Sequence, residues 1–188
     1  MSNSLRYLIR NDLYRYEGDC KLKSFLRAYL CRPGFKFTVW LRICSVISRR
    51  KWAKNTIMPF LDLIYNHYRY KYGFDIPYNI EIGPGLLLYH FGGVVFNPSK
   101  CGKNATISQC TTVGMKIYGK EKKYPVLGDN VYMAPGSKAI GDIFVNNGTA
   151  IGTNAVLLSS TCENAVVVGI PGKTISNKGS KLYVNNPI

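Results

Sequence analysis

The chain carries two histidines, His67 and His90, and His90 has the better setting for chemistry. It stands in Leu88-Tyr89-His90-Phe91-Gly92-Gly93, where the paired glycines predict a surface turn. A neutral imidazole, with an unperturbed pKa of about 6.5, accepts a proton from a hydroxyl at cellular pH. Asp75 precedes His90 by 15 residues. A carboxylate stacked beneath the ring would hold its second nitrogen and fix the tautomer, as in a catalytic triad. The competing reading is an ordinary surface histidine and an aspartate that caps a turn. Zinc bound by three histidines is excluded on count, since the region around His90 offers one. The six cysteines show no CxxC spacing, so reduced, mostly buried thiols are expected.

Placing Asp75 near His90 depends on a six-residue beat. From residue 127 the chain reads LGDNVY, MAPGSK, AIGDIF, VNNGTA, IGTNAV. The first positions are Leu127, Met133, Ala139, Val145 and Ile151; the fifth are Val131, Ser137, Ile143, Thr149 and Ala155. The same beat starts upstream at Ile76, Ile82, Leu88 and Val94, slips by one residue, and resumes at Cys101, Ile107 and Val113. A period of six fits neither an α-helix nor a hairpin meander. It describes short strands joined by tight turns, three strands to one coil of a parallel β-helix, with the aliphatic position pointing inward. Asn and Gly supply the positive φ that the corners need. The beat fails between Val113 and Leu127, where four lysines and two tyrosines intervene. A segment so charged must project, and long ordered excursions from a regular scaffold usually carry function.

The front of the chain has another texture. Residues 1–74 hold 15 Lys/Arg against 4 Asp/Glu, or +11, whereas residues 75–188 hold 10 against 6, or +4. Helical spacing runs through Leu5, Leu8 and Ile9, through Leu22–Cys31 up to the breaker Arg32-Pro33-Gly34, through 35–50, and through 59–72. These segments predict a helical cap with a solvated basic face, or a cationic, aromatic surface resting on an anionic membrane leaflet. No helix-turn-helix, zinc-ligand or RNA-module signature accompanies the charge, which argues against nucleic acid. No apolar run reaches the roughly 18 residues of a membrane span, and no signal-peptide pattern opens the chain, so a cytoplasmic protein is expected.

Four segments together resemble the serine acetyltransferase family of hexapeptide acyltransferases: DIPYNIEIGPGLLLYH (75–90), TTVG before the excursion, GDNVYMAPGSKAIGDI (128–143) and VVVGIPGK (166–173). The resemblance implies a left-handed parallel β-helix that trimerises and binds acetyl-CoA in the groove between subunits. The β-helix would occupy 75–174, with a projecting loop at 114–126, after a short N-terminal α-helical region (1–74) and before a tail (175–188). The resemblance makes His90 the general base and Asp75 its orienting partner. It lines the CoA groove with Gly114, Ala134, Gly136, Gly152 and Thr153, and brings Lys173 to the CoA phosphates.

The sequence also departs from that family. Tyr89 stands where an aspartate precedes the catalytic histidine, Lys123 and Tyr124 replace an Arg-His pair, and the long helical domain is shortened. Tyrosines are good platforms for sugar faces. With these departures the chain resembles the shorter O-acetyltransferases of bacterial surface-polysaccharide assembly, which implies Tyr89, Lys123 and Tyr124 meeting a glycan acceptor, free or lipid-linked, at the inner face of the cell membrane. The alternatives are a serine O-acetyltransferase of cysteine synthesis and a non-catalytic β-helix scaffold docked at the membrane.

Overall fold

A computed structural model describes residues 4–188. Four helices come first: α1 (Leu5–Glu17), α2 (Leu22–Cys31), α3 (Pro33–Ile47) and α4 (Met58–Tyr72). Ser4 caps α1 through the Tyr7 N–H, and Gly18 ends it in the left-handed region at φ 72°. The breaker at Arg32-Pro33-Gly34 does end α2, but it also opens α3, two residues earlier than the spacing predicts. Proline's fixed φ and missing N–H suit a first helical turn. Gly34 has a second reason to be glycine: a Cβ there would lie 2.2 Å from the Leu88 carbonyl oxygen. Among the described residues, no helix is long and apolar enough to cross a membrane.

Beyond Gly73 the chain winds into a left-handed parallel β-helix with three faces. The first face stacks Phe74–Asp75, Val94–Phe96, Thr112–Gly114, Lys138–Ile140 and Val156–Leu157. The second stacks Glu81–Ile82, Lys100–Cys101, Val126–Leu127 and Phe144–Val145. The third stacks Leu87–Leu88, Thr106–Ile107, Tyr132–Met133, Ala150–Ile151 and Val166–Val168, closed by the antiparallel strand Lys173–Ser176. The expected inward positions hold: Leu127, Met133, Ala139, Val145 and Ile151 are all buried, and Leu127 pairs with Val145 and Met133 with Ile151, 18 residues on. Asn104, Asn130, Asn154 and Asn164 turn corners at φ 55–58°. One hydrophobic core runs from Phe37 and Leu41 of α3 and Tyr65 of α4 into the coil interior, with Phe37 packed 5.0 Å from Phe74.

Two expectations need correction. The beat placed Val94 inward opposite Val113; instead Phe96 faces Val113, while Val94 pairs with Phe74. The corner after Leu88 therefore holds two extra residues. Tyr89 N–H still bonds the Ile107 carbonyl, and Gly92 accepts from the Cys110 N–H, so His90 and Phe91 are the pair that bulges out. The cysteines are all free as expected, yet only Cys44 and Cys101 are buried; Cys20, Cys31, Cys110 and Cys162 are exposed. The excursion past Gly114 is a two-stranded antiparallel hairpin, Lys116–Tyr118 against Glu121–Lys123.

The first coil has no strand beneath it on its second and third faces, which would leave a row of unpaired backbone groups. Side chains of α1 and α3 fill that place. Asp12 accepts from Gly85 N–H and Leu86 N–H at 2.8 Å each and from the Arg42 guanidinium at 2.7 and 3.0 Å. Arg42 in turn donates to the Ile82 and Gly83 carbonyls, and Arg15 to the Gly85 carbonyl and Thr106 hydroxyl. The Tyr16 hydroxyl accepts from Leu88 N–H at 2.8 Å and donates to Leu88 O at 3.0 Å. Asp12, Arg15 and Arg42 are all buried, so part of the basic front is a polar cap rather than the solvated face that the sequence suggested.

Candidate active site

The edge where the third face turns into the first assembles most of the candidate residues. At successive levels Tyr89, Ser108, Ala134 and Gly152 occupy equivalent places, each N–H bonded to the carbonyl of the coil above. His90 bulges from the lowest level, Gly136 lies two residues past Ala134, and Thr153 follows Gly152. Coils spaced about 4.8 Å apart put about 14 Å between the levels of His90 and Thr153. Lys173 pairs with Val168, directly over Gly152, so a cation closes the top of this edge. Gly114 lies off it, at the foot of the hairpin beside Ile140.

His90 is exposed, with the Tyr89 ring 5.2 Å away at 59°. Both line a cavity of about 310 Å³ whose other walls are the start of α3 at Arg32-Pro33-Gly34, Tyr16 of α1, and Asn185 and Asn186 of the tail. Tyr16 fixes Leu88, two residues before the imidazole, through both of that residue's backbone groups. Its hydroxyl end is desolvated, which pushes its pKa well above the usual tyrosine range.

The structure does not bring Asp75 under His90. Asp75 lies on the first face opposite Val95, and its carboxylate accepts from the Arg69 guanidinium of α4. It lines a separate depression with Tyr70, Gly73 and Val95. The 15-residue spacing suggested a stack because a uniform coil of 18 was assumed; the first coil is longer, with Phe74 and Val94 20 apart. The Arg69–Asp75 pair is partly exposed, and such pairs hold weakly, at about 1 kcal/mol or less.

Lys123 ends the second strand of the hairpin, bonded to Glu121 at 3.2 Å, and Tyr124 follows it half-buried. Neither lines the His90 cavity. One residue that the sequence reading passed over is Gln109, next to Ser108 on the His90 edge. Its Oε1 is buried without a hydrogen-bond partner, which makes it an acceptor waiting for a donor. Its place one level above His90 was the available signal, since Gln109 stands two residues past Ile107 as His90 stands two past Leu88, and Leu88 pairs with Ile107.

A left-handed parallel β-helix with a histidine at the base of such an edge has the form of a hexapeptide acyltransferase. No protein-family profile matches the chain. The serine acetyltransferase of Staphylococcus epidermidis is 32% identical over 176 residues, covering 93% of this chain and 80% of that protein. That of Synechococcus elongatus is 28% identical over 169 residues, covering 89% and 67%. Among solved structures, Neisseria gonorrhoeae serine acetyltransferase in complex with serine matches with a TM-score of 0.74 at 25% identity, covering 92% of this chain and 69% of that one. The Vibrio cholerae enzyme matches with a TM-score of 0.75 at 20% identity, and this chain spans 65% of its length. The chain belongs to the serine acetyltransferase family.

These relatives overturn the surface-polysaccharide reading. They are named for serine, and the similarity to the Staphylococcus epidermidis protein covers 93% of the chain, so the helical front cannot be set aside as foreign to that family. The physical weakness lay in Tyr89. The residue is 53% exposed and its ring lies 5.2 Å from that of His90, a placement that does not by itself select a sugar over serine.

Proposed function

We propose that the protein is an acetyl-CoA-dependent serine O-acetyltransferase, a cytoplasmic homotrimer whose acetyl-CoA groove forms between neighbouring β-helices. The observation that carries this is the His90 edge, in a chain that matches a protein named serine acetyltransferase over nearly its full length. In this reading His90 takes the proton of the serine hydroxyl as its oxygen attacks the thioester carbonyl. The C–S bond then breaks, and the proton passes to the departing CoA thiolate. Ala134, Gly136, Gly152 and Thr153 present backbone and small side chains along which a thin chain can lie, with Lys173 meeting phosphate at the top and Gly114 at the hairpin foot.

Asp75 serves as the orienting partner after release from Arg69. Tyr89, Lys123 and Tyr124 face the acceptor, the latter two from a neighbouring subunit's hairpin, where Lys123 offers a cation to the serine carboxylate. The division into a helical front (1–74), an acetyltransferase body (75–174) and a tail (175–188) belongs to the same proposal. The test is thiol release from acetyl-CoA on addition of L-serine. Wild type should release CoA, and His90→Ala should lose about a hundredfold or more in turnover with its assembly intact. Silence of the wild type with serine, under conditions where it binds CoA, would sink the proposal.

A further inference from the structure

Between α3 and α4 the chain runs Arg49-Arg50-Lys51-Trp52-Ala53-Lys54. A single 3₁₀ turn, Lys51–Ala53, pins this segment by the fully buried Ala53 and turns its neighbours outward. Trp52 is 66% exposed, Ile57 just ahead of α4 is 38% exposed, and the start of α4 adds Phe60 at 62% and Leu63 at 72%. Arg49, Arg50, Lys51 and Lys54 are all exposed, and no Asp or Glu occurs from residue 20 to residue 61. Among the described residues none of these four cations lies within ion-pair distance of a carboxylate, whereas Arg27, Arg32, Arg42 and Arg69 all do. A short stretch thus presents unpaired positive charge and large apolar side chains together, which a purely aqueous surface does not call for.

The occupant of this face has to be negative and apolar at once. A two-fold contact with a second copy of the chain fits poorly, because an isologous interface would set the same four cations against their own images. Single-stranded nucleic acid would use the charge and stack on Trp52 and Phe60, but it leaves Ile57 and Leu63 without a partner. An anionic bilayer uses every component: tryptophan settles at the headgroup level, aliphatic side chains enter the acyl boundary, and Lys/Arg stay among the phosphates. We propose that the face from Arg49 to Leu63 docks the enzyme peripherally on an anionic lipid surface. This surface is separate from the His90 edge and stands or falls independently of the acyl acceptor.

The test uses the full chain with phosphatidylcholine vesicles, with and without phosphatidylglycerol. Flotation should require the anionic lipid. The variant R49Q/R50Q/K51Q/K54Q should partition more than about a hundredfold more weakly, each cation near an anionic leaflet being worth about a fivefold factor. In a Trp40→Phe background, brominated lipid should quench Trp52 fluorescence, and Phe60→Ser with Leu63→Ser should abolish the quenching. Thiol release with free L-serine should be unchanged in every variant, which keeps this surface distinct from the catalytic reading. Equal flotation on both vesicle types, or bound protein with Trp52 unquenched, would overturn the proposal. So would displacement of the protein from vesicles by single-stranded RNA, or a fall in assembly mass on light scattering in the Phe60/Leu63 variant.

Discussion

Replacing Asp12 with alanine removes the one anion of the polar cap. Four hydrogen bonds end on that carboxylate, two from Gly85 and Leu86 and two from Arg42. Arg42 would keep its bonds to the Ile82 and Gly83 carbonyls but would stand 3% exposed without a counter-charge. Breaking a buried pair from one side costs about 3–5 kcal/mol. Orphaning a buried N–H costs about 1–3 kcal/mol, and the two penalties overlap because one cavity serves both. A loss of about 4 kcal/mol is expected, a large share of the 5–15 kcal/mol typical of a whole domain. For a chain of this size that lowers the melting temperature by roughly 8–16 °C. Thermal and urea unfolding followed by circular dichroism, at fixed protein concentration, would measure it. Arg42→Met in the Asp12→Ala background should cost at least about 1 kcal/mol less than the two single changes added together. A single-variant loss below about 1 kcal/mol, or strict additivity in the double variant, would show that the cap's charges are not coupled as the hydrogen bonds imply.

If Asp75 orients His90 once freed, Asp75→Asn should lower turnover by about tenfold or more, while Arg69→Ala leaves it equal or higher. A parallel loss in both variants would instead make the ion pair itself the functional unit. Burial pushes the Cys44 and Cys101 thiols up to about 12. Native protein at neutral pH should therefore alkylate at Cys20, Cys31, Cys110 and Cys162 only, and mass spectrometry showing modified Cys101 would contradict this. Above the ordinary thiol value of 9.0 the unfolded chain sheds those two protons first. Their contribution to stability is thus complete below pH 9 and falls as pH rises toward 12. Tyr16 and Tyr65, raised by the same burial, act in the same direction. Urea midpoints should decline over that window.

The β-helix was legible because each inward position repeats a simple demand, an aliphatic side chain every sixth residue, and no other local interaction competes with it. The corner at His90 was not, for a specific reason. Val94 is aliphatic and buried, so it mimics the next inward position and conceals the two added residues, which the pairings of Phe74 with Val94 and Phe96 with Val113 expose. The cap was hidden too. Asp12, Arg15 and Arg42 look like ordinary polar helix positions until the unpaired backbone of the first coil is seen beside them. Within the site, the place of His90 at a coil corner follows from repeat position and the small residues of its edge come from the family resemblance, whereas the partner of Asp75 comes from α4, a helix whose packing the repeat does not encode.

The cap has a bearing on how such a coil comes into being. A parallel β-helix has a start but no intrinsic first rung, since any coil needs a neighbour to complete its backbone bonds. Here Asp12, Tyr16 and Arg42 supply the first rung in side-chain form, and they lie ahead of the coil in the chain. During synthesis they leave the ribosome first, so each new turn can be laid on one already closed, in the nearest-neighbour manner of repeat proteins. The same stopper makes the end of the stack a poor template for other molecules: with the Gly85, Leu86 and Leu88 amides and the Ile82, Gly83 and Gly85 carbonyls occupied, the second and third faces of one copy offer little on which another could wind end to end into a fibre.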